Sequence, residues 1–314
     1  MSRARSRRGE GDPGSVLEAD ASSPAELVGV TGSQCRTAVS PCGDVTPLGS
    51  VDASPLSWYV AAEDRWHVPA DEATVRQRRI EGTPVVETRI RVVDGDAVQR
   101  VWSVADGGGM TIVEVENESP LPFAVAFAGR EVGRGVLTER PPADVPIRGL
   151  ELPADAFVLP VGHRTSVRVA VPHDPAHADE AALRRAAPAM AVVRGWHAIV
   201  DRASRLVLPD EAAATAVVAA RCDLLLAGPA DPAADPVGFL YDVAELVRLG
   251  EPADAWMPEI VEPVAEVARR DDADVYRALA ACLRMATGAD DQELTPDDRF
   301  ELRPREHLAG GVVR

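Results

Sequence analysis

The chain has 314 residues, 46% of them apolar and 4% aromatic, with a formal net charge of -17. That length allows two domains with aliphatic cores, while the charge argues against nucleic acid and anionic membrane surfaces as partners. No stretch approaches the roughly 18 consecutive apolar residues that span a bilayer. Arg3, Arg5, Arg7 and Arg8 are followed by Gly9 to Gly14 without the apolar run of a signal peptide, so the expected location is cytoplasmic.

Residues 1–32 are rich in Gly, Ser, Pro, Glu and Asp with no sustained period, and disorder is expected there. Between about Ser57 and Val171 short alternating runs separated by turn residues predict antiparallel strands, within a β-sandwich domain expected over 33–175. Val86, Thr88, Ile90 and Val92 share one face, and the Asp94-Gly95 pair predicts a tight hairpin into Val98, Arg100, Trp102 and Val104. Asp106-Gly107-Gly108-Gly109 turns the chain into Thr111, Val113 and Val115, with Glu114 and Glu116 on the wetter face. Phe123, Val125 and Phe127 follow, and Thr165, Val167, Val169 and Val171 repeat the same period. Strands at this spacing predict a β-sandwich, a barrel giving the same one-dimensional pattern.

Over 176–288 the period becomes helical, and about five helices are expected. Ala178 to Ser204 makes one or two helices around Pro188, and Pro209-Asp210 opens another that stops at Gly228-Pro229. Asp235-Pro236 supplies a cap and a first-turn proline for the stripe Phe239, Leu240, Val243, Leu246 and Val247, which Gly250 and Pro252 end. Trp256 to Arg270 is helical with Pro258 in its first turn and a kink at Pro263, and Asp274 to Gly288 frames the last helix. Residues 289–314 are expected to form an acidic, loosely ordered tail. The expected class is α+β: an antiparallel β-sandwich, then a short α-helical domain.

Trp58-Tyr59-Val60 with Asp64-Arg65-Trp66, the hairpin from Thr83 to Val104, the segment Glu114 to Pro122, and Leu208-Pro209-Asp210-Glu211 together carry a resemblance. It is to glucoamylase-type and glycogen-debranching-type glycosidases, in which a β-sandwich precedes a toroid of six helical hairpins. The resemblance implies a carbohydrate-associated protein, but about five helices build only an incomplete α/α toroid. Glycan binding, or catalysis dependent on a partner chain, is the implied function, with an α-glucan or oligosaccharide as ligand and no hydrolysis by the chain alone. The alternative is a non-catalytic structural or interaction protein that docks onto a protein partner, or onto its own copies, through an open helical layer.

Trp58, Tyr59 and Trp66, and separately Trp196 with His197, are the candidates for a glycan-stacking surface, each weighed against core packing. Asp210 and Glu211 are weak acid candidates, because the first fits a helix cap and the second a favourable first-turn charge. His173 and His177 read as surface-loop residues beside Pro172 and Pro175. Cys222 and Cys282 read as buried thiols, and Cys35 and Cys42 as loop thiols without metal or redox spacing. The acidic groups Asp271, Asp272 and Asp274, and Asp290, Asp291, Asp297 and Asp298, lack an EF-hand pattern. No cofactor or metal is expected.

Overall fold

The computed structural model describes residues 24–33, 35–49, 54–129, 152–153, 155–173, 180–202, 207–249 and 251–269. Among them, twelve strands precede five α-helices in an α+β arrangement that begins with a β-sandwich. The first three strands, β1 (Glu26–Gly29), β2 (Arg36–Val39) and β3 (Val45–Pro47), pair in sequence order. A second sheet joins β4 (Ser57–Ala62), β5 (Arg65–His67), β10 (Phe123–Ala128) and β11 (Phe157–Val161) in the order β11-β10-β4-β5. The third contains β6 (Arg76–Arg79), β7 (Val86–Val92), β8 (Gly95–Val104), β9 (Met110–Asn117) and β12 (Ser166–Pro172), ordered β12-β9-β8-β7-β6. All of these pairings are antiparallel.

One apolar core is shared by the three sheets. Val86, Ile90, Val101, Val113, Val115 and Val169 from the five-stranded sheet meet Trp58, Val60, Val125 and Phe127 from the four-stranded sheet, and Val28, Val39 and Val45 from the first. The two-residue period of a strand sends these residues to one side and their neighbours to the other. β1 therefore corrects the expectation of disorder over residues 24–32. Its two buried residues, Val28 and Gly29, are too few to register as a period, yet Val28 is fully enclosed once β2 pairs beside it. Residues 1–23 lie outside the described residues.

The hairpin between β7 and β8 forms one position earlier than expected. Val92 pairs with Gly95, so Val93 and Asp94 make the two-residue loop and Asp94 takes the left-handed φ of 56°. Gly95 is needed for space instead, since a Cβ there would lie 2.6 Å from the Ser119 Cα.

The outer face of the five-stranded sheet is divided. At one end Trp102, Val104, Met110 and Ile112 are covered by α1 (Glu180–Arg185) and α2 (Ala189–Val200), whose Ala182, Leu183 and Val193 complete the cluster, and Trp102 Nε1 donates to Ala187 O at 2.9 Å. At the other end the face is charged. Arg78, Glu87, Arg100, Glu114 and Arg168 are direct register partners across all five strands, so charge alternates in one transverse row. The Glu87 side chain is 3% exposed and is met by Arg78 Nη2 at 2.8 Å, Arg89 Nε at 3.0 Å and Arg100 Nε at 3.0 Å. Burial alone raises its pKa, but the hydrogen bonds and charges of Arg89, Arg78 and Arg100 outweigh that and hold the carboxyl below its ordinary range.

Pro188 separates α1 from α2 and caps the second, so the region around it forms two helices. The third helix, α3 (Glu211–Ala227), lies against the turn at Ile80–Gly82. A Cβ on Gly82, which has φ +74°, would stand 2.5 Å from Thr215 O. Arg79 joins this helix to the sheets through Asp223 at 2.7 Å and Glu26 at 2.5 Å, while Arg36 Nη2 donates to the terminal Ala227 O at 2.8 Å. Cys222 is fully buried, as its helical pattern predicts, and burial pushes its thiol up to about 12.

α1 to α3 thus belong to the same compact unit as the sheets, and the division between units falls after Ala227, later than the change from strand to helix. The second unit contains α4 (Pro236–Arg248) and α5 (Ala253–Ala268), joined through Phe239, Leu240, Val243, Ile260 and Val267. Asp235 caps α4 as expected, accepting from Gly238 N at 2.8 Å. α5 starts three residues before Trp256, which places Pro258 inside the helix along with Pro263. The helix expected over Asp274 to Gly288, Cys282, the acidic groups beyond residue 270 and the tail lie outside the described residues.

Two glycines separate conformational from steric cost. Gly32 has φ +67°, and a Cβ added there would find nothing within 4 Å, so Gly32→Ala should lose about 1 kcal/mol. Gly82→Ala meets α3 as well and should lose about 3 kcal/mol or more by urea unfolding. Equal losses would show that α3 does not press on this turn.

Candidate functional site

Of the aromatic candidates on β4 and β5, Tyr59 is the one whose surroundings combine partial exposure with acidic groups. Adjacent residues on β4 face opposite ways, so Trp58 and Tyr59 have separate environments. Trp58 is 1% exposed within the shared core, and its Nε1 donates to Cys42 O at 2.9 Å. Trp66 is 8% exposed and packs on the other face of the four-stranded sheet with Ala61, Ala126 and the partly buried Tyr59. Trp196, in α2, is 5% exposed. The three indoles are almost wholly buried, which leaves little ring surface for a sugar and favours core packing, the alternative to a stacking surface.

The Trp58 hydrogen bond holds the loop from Ser40 to Asp44, which joins β2 to β3. Gln77 Nε2 also reaches this loop, donating to Ser40 O at 2.6 Å. Within it, Ser40 N donates to Asp44 O at 2.9 Å and Asp44 N to Ser40 Oγ at 2.9 Å. Gly43 has φ +89°, and a Cβ there would fall 2.4 Å from Gln99 Oε1 and 2.7 Å from Trp58 Nε1, so glycine alone fits.

The loop sets Asp44 beside Ser57 and Tyr59. Burial raises the Asp44 pKa above the ordinary carboxylate value, while hydrogen bonds from Ser57 and Ser40 oppose the rise. Tyr59 is also raised, first by burial and then by the charges of Asp44 and Asp155, although its hydrogen bond with Ser57 works the other way. Burial, Asp44 and Asp71 raise the Cys42 thiol. Asp155 is exposed and accepts from Gly129 N at 2.8 Å. The result is a half-buried phenol bordered by carboxylates and hydroxyls, an arrangement able to accept hydrogen bonds from a polyhydroxylated ligand.

The remaining candidates have local roles. His197 Nε2 lies 3.0 Å from Glu81 Oε2, tying α2 to the turn before β7. Asp210 Oδ1 accepts from Ala212 N at 2.9 Å at the start of α3, and the neighbouring Glu211 is an exposed first-turn residue. His173 lies in the bend directly after β12 and is half-buried, with its Nε2 3.1 Å from Thr111 Oγ1 and 3.3 Å from Thr37 Oγ1. Ser103 Oγ joins Thr111 at 3.0 Å. Both threonines are fully buried, so these hydroxyls tie the first sheet to the five-stranded sheet without access for a substrate. His177 is outside the described residues.

Among the described residues no group of three or more His, Cys, Asp or Glu is placed to hold a metal ion, and no helix is long and apolar enough to cross a membrane. The chain matches no protein-family model and no curated protein.

The raised Asp44 pKa has a defined sign. With the folded-state value above the unfolded one, Asp44 favours folding below its unfolded pKa, near 3.8, and that stability is lost as pH rises through the folded value. Asp44→Asn should therefore gain stability relative to wild type between about pH 4 and pH 7 in urea unfolding. A stability difference that does not change with pH, or that moves the other way, would contradict the burial of this carboxyl.

Proposed function

We propose that the chain is a glycosidase-like glycan-binding protein that does not cleave its ligand alone. The observation that carries this reading is the half-buried Tyr59 beside Asp44, Ser57 and Asp155. An aromatic face suits the apolar face of a sugar ring, and carboxylates and hydroxyls pair with its hydroxyl groups. Binding is favoured over hydrolysis because the acids of the glycosidase-like segment, Asp210 and Glu211, serve the start of α3. Affinity electrophoresis through glycogen, starch and maltooligosaccharides tests it. Wild type should be retarded by at least one glycan, with Tyr59→Ala and Asp44→Asn both migrating faster in the same gel. Folded wild type that no glycan retards would overturn the reading.

A second reading, docking through the helical layer, is favoured by Met257 and Val261, which stand one helical turn apart on α5 at 40% and 64% exposure. Light scattering that finds only monomer, together with a pull-down that recovers no partner, would remove it.

A further inference from the structure

We infer that the β6 edge of the five-stranded sheet is a docking site for an extended acidic segment that adds as a sixth strand. β6 ends the strand order and, among the described residues, pairs only with β7. The transverse row Arg168, Glu114, Arg100, Glu87 and Arg78 alternates in charge and stops on a cation. The next row along the strands also stops on one, Arg76, opposite Arg89. The Arg78 side chain is 67% exposed and that of Arg76 is 54% exposed, the latter reaching a carboxylate only at 3.4 Å, on Asp96.

Neighbouring strands lie about 4.8 Å apart, so a strand added at β6 would set its side chains beside Arg76 and Arg78 as direct cross-strand pairs. These arginines are two residues apart and share a face, which calls for carboxylates at positions i and i+2 of the incoming segment. Gln77, between them, faces the other way and is already engaged with Ser40 O at 2.6 Å and Thr88 Oγ1 at 3.0 Å. A second copy of β6 is a poor occupant, because arginine would meet arginine, and this is also how edge strands resist self-association. Backbone pairing would supply affinity and the two arginines the selection, as in other cases of strand addition.

The test uses the full chain and three labelled eight-residue peptides in fluorescence anisotropy at low salt: alternating Thr-Glu, alternating Thr-Lys, and four Glu followed by four Thr. The alternating Thr-Glu peptide should bind saturably and slow amide exchange along β6. Its affinity should exceed that of the block peptide by about tenfold or more, with no binding of the lysine peptide. A substituted chain, Arg76→Glu, which leaves Arg78, Arg89 and Arg100 in place on Glu87, should lose most of the binding while melting within a few degrees of wild type. The more conservative Arg76→Gln with Arg78→Gln should weaken it. No saturable binding up to about 1 mM, equal affinity for the block peptide, or unchanged binding by the folded Gln variant would each overturn the inference. So would β6 amides already protected by the chain's own segments or copies.

Discussion

The carboxylate of Glu87 is the point on which the charged half of the sheet depends. It is enclosed on the outer face, away from the apolar core, and three guanidinium groups from β6, β7 and β8 converge on it. An unpaired buried charge is costly, so Arg78 and Arg100 must arrive from β6 and β8 in the correct register to join Arg89 of β7. A shift of one residue would turn every side chain of a strand to the opposite face, carrying Arg78 or Arg100 towards the core and leaving Glu87 with one guanidinium fewer beside Arg89 of its own strand. The apolar interior and the charged exterior therefore enforce the same alignment. That alignment also leaves Arg76 and Arg78 as the cationic margin of the sheet.

A second consequence is that the sandwich holds its loops from within. Trp58 and Gln77 lie on β4 and β6, in different sheets, and both donate to the Ser40–Asp44 loop, at Cys42 O and Ser40 O respectively. The two sheets thereby act together on one short turn. Asp44 is set beside Tyr59 by this support together with its own bonds to Ser40 and Ser57. Elsewhere Trp102 plays a related part, carrying its ring under α2 and its Nε1 to Ala187 O, with the Arg168 guanidinium 5.7 Å from the ring centre.

Long periodic segments were legible in the sequence for a simple reason. In β7, β9 and β12 the core face is continuous over three or four alternating residues, and in α4 a capped apolar stripe covers three turns, so the pattern exceeds local noise. β1 to β3 were hidden because each contributes only one or two core residues, and their burial depends on partners distant in the chain. The same reason hid Asp44, which reads as an ordinary turn residue after Gly43 until β3 and β4 bring it to Ser57 and Tyr59. Tryptophan was ambiguous in the sequence. The aromatic side chains of Trp58, Trp66 and Trp196 suit a sugar ring and a core equally well, and their burial favours the core, because a large ring in an aliphatic protein is first of all a large area to bury. Glu114 and Glu116 were recognisable as facing away from the core, but their place in a row crossing five strands required the register.

A double-mutant cycle on Glu87 and Arg100 tests the central claim most directly. Glu87→Gln, Arg100→Gln and the double variant would be compared with wild type by urea unfolding at pH 7. The account predicts a coupling of about 1 kcal/mol, because each single change removes the 3.0 Å Arg100–Glu87 contact, although Arg78 and Arg89 still meet Glu87 and Glu116 still meets Arg100. A coupling below about 0.3 kcal/mol, the level of independent surface sites, would contradict the claim that this carboxylate sets the register.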